Sequence, residues 1–268
     1  MEQNYGMFFA LLDRKNLLMQ KILLKNRCWA IFCCSVLLWA GISCSKSDTV
    51  TPCLLNSVIT QSDSLPAIRG DITYDFLDRI ERIQFAGGNF WQYDYPNSST
   101  IIANNFDANE ILLQRTYYVL NQLNYVKIAT YENSTAQTTY EYNTNGYLIK
   151  TNHTENGETN SITRTIENGN IVLLVQPTDS ILYRETYDYY DMSNNFNLDD
   201  YGRNLFGKAN TNLLRQRVFL QTQTMQTDTA AIWLYSYTFD ENNQVIEQQI
   251  YTQNSLIPFK SISYGYDC

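Results

Sequence analysis

Most of what enzymatic chemistry needs is missing from this chain. Its 268 residues include one histidine, His153, five prolines and eleven glycines, and only 17% carry a charge. A lone imidazole in a polar, strand-like stretch gives no base paired to a serine or cysteine, so acyl-transfer triads are not expected and His153 reads as a surface residue. No G-x-S-x-G, H-E-x-x-H, P-loop or dinucleotide fingerprint occurs. One histidine and few free cysteines leave zinc without ligands, and MSNNFNLDD (192–200) lacks the glycine and terminal glutamate of a calcium loop. No metal or cofactor is expected. Basic residues are also short: 19 Lys and Arg face 27 Asp and Glu, a formal net charge of −8. That balance repels phosphate backbones and excludes nucleic acid as a partner. Sustained helical periodicity is absent except over the short stretch 196–206, which carries Asp199 and Asp200.

Long apolar runs are lacking too, with one exception. Residues 28–43 (CWAIFCCSVLLWAGIS) contain no charge and follow Lys21, Lys25 and Arg27. Sixteen residues reach about 24 Å as a helix, short of the roughly 30 Å hydrocarbon core. A basic segment ahead of a short apolar one reads as a secretory signal. It ends Gly41-Ile42-Ser43-Cys44, which resembles a bacterial lipobox, with Gly41 where leucine is usual. The resemblance implies a diacylglyceryl group on Cys44, cleavage before it, and a lipid anchor in place of the apolar peptide. Glu2 and Asp13 suit a signal poorly, and a start at Met19 gives an ordinary 25-residue signal.

The expected organisation is therefore a signal peptide at 1–43, a lipidated tether at 44–66 and one β domain at 67–268. Residues 1–43 hold five basic and two acidic groups, so the processed chain carries 19 − 5 = 14 basic and 27 − 2 = 25 acidic groups, net −11. Three cysteines leave with the signal and Cys44 takes lipid. Cys53 and Cys268 remain, and in an oxidising exported compartment they read as a disulfide, with two free thiols as the alternative.

Asn-Gly pairs at 145–146, 156–157 and 168–169 supply the positive φ angles of two-residue hairpin turns. Between them lie YLIKTNHTE and ETNSITRTIE, rich in β-branched and aromatic residues. The same character recurs over 125–131, 215–222, 232–239 and 245–251. A second pattern overlies the turns: Tyr74-Asp75, Tyr142-Asn143 and Phe239-Asp240 are each followed, four residues after the Asp or Asn, by a position that precedes Ile80, Leu148 or Val245. The fold class is all-β, a single curved antiparallel meander, open-barrel or porin-like, with tight hairpins and little helix.

These units resemble YD-type repeats. Together with the lipobox, FGKANTNLLRQ (206–216) and the terminal YGYDC, they are similar to a family of predicted lipoproteins of gut-anaerobe type, of unknown function and with a porin-like β-meander. That resemblance implies a surface address: lipid-anchored to the outer membrane, on its periplasmic or cell-surface side, touching the membrane through the lipid alone. It brings no catalytic residues. A lipid-facing barrel is disfavoured by ETNSITRTIE, where Arg164 lies between the two aliphatics on their own face.

Two functional classes follow. The first is a non-catalytic binding domain for a glycan or an envelope protein. Tyrosine occurs 21 times, and Trp91, Tyr93 and Tyr95 (in FWQYDY) alternate onto one face where rings can stack on a sugar. The competing explanation is structural, since cross-strand aromatics also hold sheets together. The second class is a carbohydrate hydrolase using paired carboxylates, with Asp188, Asp191, Asp199 and Asp200 crowded together. Four Asp-Ser/Thr-apolar tripeptides, at Thr49, Ser64, Ser180 and Thr229, resemble an O-glycosylation sequon of gut anaerobes.

Overall fold

A computed structural model describes residues 53–63, 65–178, 181–194, 203–223 and 226–267. Cys44, Cys268, Thr49, Ser64, Ser180, Asp199 and Asp200 lie outside the described residues.

Alternating sequence becomes sixteen strands. The first eight are β1 (Leu54–Ser62), β2 (Leu65–Tyr74), β3 (Ile80–Phe85), β4 (Phe90–Asn97), β5 (Thr100–Phe106), β6 (Leu112–Leu120), β7 (Val126–Tyr131) and β8 (Gln137–Tyr142). The rest are β9 (Leu148–Glu155), β10 (Glu158–Glu167), β11 (Asn170–Pro177), β12 (Leu182–Ser193), β13 (Asn212–Gln223), β14 (Gln226–Phe239), β15 (Val245–Thr252) and β16 (Lys260–Asp267). Each pairs antiparallel with its sequence neighbours, and β1 pairs with β16, so the sheet is a closed barrel. The expected meander is present and it closes on itself.

The β domain starts earlier than the expected boundary at residue 67. LLNSVITQS (54–62) forms β1 rather than tether, with Leu55 and Val58 buried. Serine and threonine serve strands as well as linkers, and here Val58, paired with Tyr264 and Gly70, turns the segment inward.

Five hairpins share one construction. The side-chain oxygen of Asp75 accepts the amides of Leu77 and Arg79 at 2.9 and 3.0 Å. Asp107, Asn121, Asn143 and Asp240 do the same for the residues two and four places on. In each, the residue three places on takes positive φ: Asp78, Glu110, Asn124, Gly146 and Asn243. Each also carries a register shift at the aromatic or aliphatic residue before the acid or amide. Asx-turn bonding, the left-handed residue and the bulge thus form one five-residue loop. Two copies, at Asp107 and Asn121, escape the sequence pattern because Glu110 is an unusual left-handed residue and Leu120 is not aromatic. Asn145-Gly146 belongs to this loop and is not a two-residue turn, since only Gly146 has positive φ. Asn156-Gly157 and Asn168-Gly169 have positive φ at both positions, as a type I′ turn requires.

Connections alternate between two ends. The start of β1, the end of β16, the Asp75, Asn121, Asn143 and Asp240 loops and residues 203–211 share one end; the β1–β2, β11–β12 and β15–β16 connections share the other. The apolar core gathers at the first end: Leu55, Ile72, Ile80, Ile101, Leu120, Val126 and Val245 all sit in the strand halves nearest it. Most buried residues face inward, but Phe90 and Asn104 are buried on the outer face, which carries polar and apolar side chains alike. Asn104 donates to Asp94 at 2.9 Å and accepts from Arg115 at 2.7 Å, and Arg115 pairs with Glu132 at 3.0 Å.

Candidate functional site

Phenolic oxygens lace the packed end together. Tyr74 donates to the carbonyl of Leu55 at 2.6 Å, Tyr95 to Ile80 at 2.8 Å, Tyr142 to Val126 at 2.7 Å and Tyr266 to Val245 at 2.8 Å. The acceptors are aliphatics at the start of strands at this end, the donors come from a nearby strand, and each of these four hydroxyls finds a partner. Trp91, Tyr93 and Tyr95 belong to this system. They do share one face, and it is the inner one: Tyr93 is buried, Trp91 and Tyr95 pack on the core, and Arg79 covers the Tyr95 ring at 4.0 Å.

The β12–β13 segment stoppers the same end. Its 3₁₀ turn (Arg203–Phe206) places Leu205 and Phe206 inside the barrel, Phe206 against Tyr140 at 4.9 Å and edge-on to Tyr118 at 6.1 Å. Tyr142 also donates to the Leu205 carbonyl at 3.3 Å. FGKANTN is therefore a docking sequence. Lys208 N–H bonds the Gly146 carbonyl at 2.9 Å, Asn210 accepts from Ile171 N–H at 2.9 Å, and Asn170 and Asn212 bond each other reciprocally at 3.0 and 2.9 Å. Gly207 has φ +107°, and a Cβ there would stand 2.9 Å from the Gly146 oxygen, so only glycine fits.

The other half of the barrel holds a cup at its rim. Towards the open end the inner face of β11–β14 carries Gln176, Tyr183, Glu185, Tyr187, Arg217, Phe219, Ala231 and Trp233, placed together by the pairings Gln176↔Tyr183, Glu185↔Phe219, Tyr187↔Arg217 and Arg217↔Trp233. A cavity of about 400 Å³ opens against Tyr183, Glu185, Phe219 and Trp233. Small-molecule sites commonly start near this size.

Its polar centre is Glu185. Arg217 donates to one Glu185 oxygen from Nε at 2.9 Å and Nη2 at 2.6 Å, and the Tyr187 hydroxyl donates to the same oxygen. The Arg217 guanidinium also lies 4.4 Å from the Phe219 ring, 5.4 Å from Trp233 and 5.7 Å from Tyr187. Burial works against the Arg217 charge, but the Glu185 bond and the charge interactions with Tyr187, Glu185 and Tyr235 together outweigh it and hold its pKa above the usual value. Burial pushes the Tyr187 hydroxyl well above the ordinary tyrosine range, so it stays a neutral donor. Deeper in, Arg164 is buried with its Nη1 donating to Thr151 at 3.0 Å, and burial lowers its pKa.

The other sequence candidates are dispersed. His153 is on the inner face, half-buried, bonded to Thr138 at 3.0 Å and edge-on to Tyr131. Asp188 sits on the outer wall, paired with Arg215. Glu185 is the one carboxylate among the described cavity-lining residues, and Arg217 holds it. Two carboxylates facing each other across a sugar are not found there. Thr229 lies in β14 opposite Leu220. The Glu185–Arg217 cage escaped sequence analysis, although YRETY (183–187) and RVF (217–219) alternate charge with aromatic rings at spacing two.

Residues 73–247 match the family described as a domain of unknown function with porin-like fold (DUF4595). The fold is similar to a porin-like protein from Bacteroides uniformis ATCC 8492, with 16% identity, TM-score 0.58, and coverage of 81% of this chain and 99% of that one. A porin-like protein from Bacteroides vulgatus ATCC 8482 is similar at 11% identity and TM-score 0.53, covering 80% and 98%. No curated protein matches the chain.

Proposed function

The chain belongs to the DUF4595 family of porin-like domains, and from that premise we propose a lipid-anchored envelope protein that captures a small oligosaccharide in the open half of its barrel. The observation that carries this reading is the cup itself, three aromatic rings around a neutralised Arg217–Glu185 pair beside a cavity of about 400 Å³. Ring faces of Trp233 and Phe219 suit the apolar faces of pyranose rings. Gln176, Tyr183 and the paired ions supply donors and acceptors for hydroxyls. Glycan binding thus moves from Trp91, Tyr93 and Tyr95, which serve the core, to the opposite end of the barrel. Anchoring follows from the lipobox-like junction at Cys44, where the two or three acyl chains of such an anchor hold stably.

Calorimetric titration of the processed protein with a panel of neutral and acidic di- to pentasaccharides tests the reading. At least one sugar is expected to bind in the micromolar to low millimolar range, and Trp233→Ala to weaken it about tenfold or more. Absence of binding across the panel, or binding indifferent to Trp233→Ala, contradicts it.

A further inference from the structure

Leu54 pairs with Asp267, so β1 begins beside the point where β16 stops, and the chain enters and leaves the barrel at its packed end. Hairpin tips at that end hold apolar side chains out into water: Phe76 is 90% exposed, Leu123 55% and Leu77 36%. Their loops are not slack. Asp75 and Asn121 each clamp two backbone amides, so these side chains are presented by ordered backbone.

We propose that the packed end rests on the membrane, with Phe76, Leu77 and Leu123 seated in the headgroup layer and the cup opening away from the bilayer. This rests on the anchoring reading for Cys44. Apolar tips gain by leaving water, and an interfacial position suits a phenylalanine flanked by polar loop residues. The partner is a lipid surface rather than a protein because the tether delivers one there.

The open end is the rival, for Leu256 is 98% and Ile257 71% exposed in the β15–β16 connection, and Leu65 and Ile111 are exposed at the same end. The point of entry and the chain length favour the packed end. Cys53 lies 53 − 44 = 9 residues after Cys44. A random coil of nine residues has a root-mean-square length of about 17 Å, and a nine-residue chain reaches about 30 Å when fully extended. The nine residues of β1 run about 30 Å along the strand, which a barrel tilt near 40° reduces to roughly 23 Å of height. With the packed end down, the anchor lies beside the point where the chain enters the barrel. With the open end down, the nine residues must also cover the height of the barrel, more than the random-coil length and most of their full reach. Leu256 and Ile257 then belong to the outward rim of the cup.

The test uses the full, lipidated protein in phosphatidylcholine vesicles, a neutral surface that does not repel an acidic chain. Leu123→Cys and Ile257→Cys each carry an environment-sensitive fluorophore; Cys53 is disulfide-bonded and does not label. Brominated phosphatidylcholine is expected to quench the label at 123 at least twofold and leave the label at 257 unchanged. Quenching at 257 without quenching at 123 overturns the proposal. So does quenching at neither position on protein that floats with the vesicles, which leaves an anchor and no docked end. Protein that fails to float overturns the anchoring reading itself, and this orientation with it.

Discussion

Tyr142 and Tyr183 stand on the same inner face near opposite ends of one barrel. Tyr142 bonds the Val126 carbonyl at 2.7 Å and the Leu205 carbonyl at 3.3 Å, and burial keeps its hydroxyl neutral far above the usual tyrosine range. Tyr183 is exposed at the rim of the cavity. The residue type is the same; the neighbours differ. At the packed end Leu205 and Phe206 fold inward against Tyr118, Tyr140 and Tyr142, so tyrosine becomes structure. At the open end Phe259 of the β15–β16 connection packs on Trp233, and among the described residues no segment fills the barrel as Leu205 and Phe206 do, so rings interleaved with Arg217 and Glu185 line a cavity. Aromatic abundance alone does not separate a core from a binding site, whereas the stopper at one end does.

The comparison breaks most severely where the packed end is tied shut. Cys53 is disulfide-bonded and precedes the Leu54↔Asp267 pair, while Cys268 follows it in sequence; we take these two as partners. Closing a loop of more than 200 residues is worth up to about 5 kcal/mol in the chain-entropy model. Non-reducing peptide mapping should recover residues 53 and 268 in one cross-linked fragment. Cys53→Ser should lower urea stability by several kcal/mol, whereas unchanged stability would mean the β1–β16 pairing holds without the bridge.

Next comes core against rim. Ile101→Ala is expected to cost about 2–5 kcal/mol, because Ile101 is buried in the packed end. Ile257→Ala should stay within roughly 0.5 kcal/mol. Similar costs from urea unfolding would erase the distinction between the two ends.

Glycines give a finer contrast. Gly207 and Gly157 both have positive φ, but a Cβ at Gly207 meets the Gly146 oxygen at 2.9 Å while one at Gly157 meets nothing within 4 Å. Gly157→Ala should cost about 1 kcal/mol of backbone strain, and Gly207→Ala roughly 2–4 kcal/mol once the clash is added. Equal shifts in thermal midpoint would mean that the stopper yields to the added methyl.

The smallest effect is electrostatic. Burial raises the Asp75 pKa, but bonds from the Arg79 side chain and from the amides of Arg79 and Leu77 outweigh it and leave the value below 3.8. A depressed folded pKa stabilises above the unfolded value and is lost as pH falls through the folded one. Asp75→Asn keeps the amide acceptor, as Asn121 and Asn143 do in the equivalent loops, and should flatten the loss of stability below about pH 4. A mutant with an unchanged acid slope would show that the Arg79 contact contributes nothing.

Much of the fold was legible because it is local. Alternation, β-branched stretches and Asp or Asn before a turn are set within a few residues, and the meander, the small helix content and three of the five Asx loops follow from them. Closure is not local: whether β1 meets β16 depends on twist summed over sixteen strands, and no single residue announces it. The same limit hid the site. Trp91, Tyr93 and Tyr95 were correctly placed on one face, but nothing near them in sequence says that Leu205 and Phe206 arrive from more than a hundred residues away to fill that end. Arg217 and Glu185 meet across adjacent strands 32 residues apart, and each alone looks like an ordinary surface charge.

Amide hydrogen exchange, resolved by strand half, tests the central claim of a packed, stoppered end and an open cup. The account predicts that amides of Ile101, Tyr118, Val126 and Tyr264 exchange only through global unfolding, while those of Gln176, Tyr183 and Phe219 exchange at least about tenfold faster through local opening. Uniform protection along the strands, or faster exchange at the Leu205 end, would contradict it.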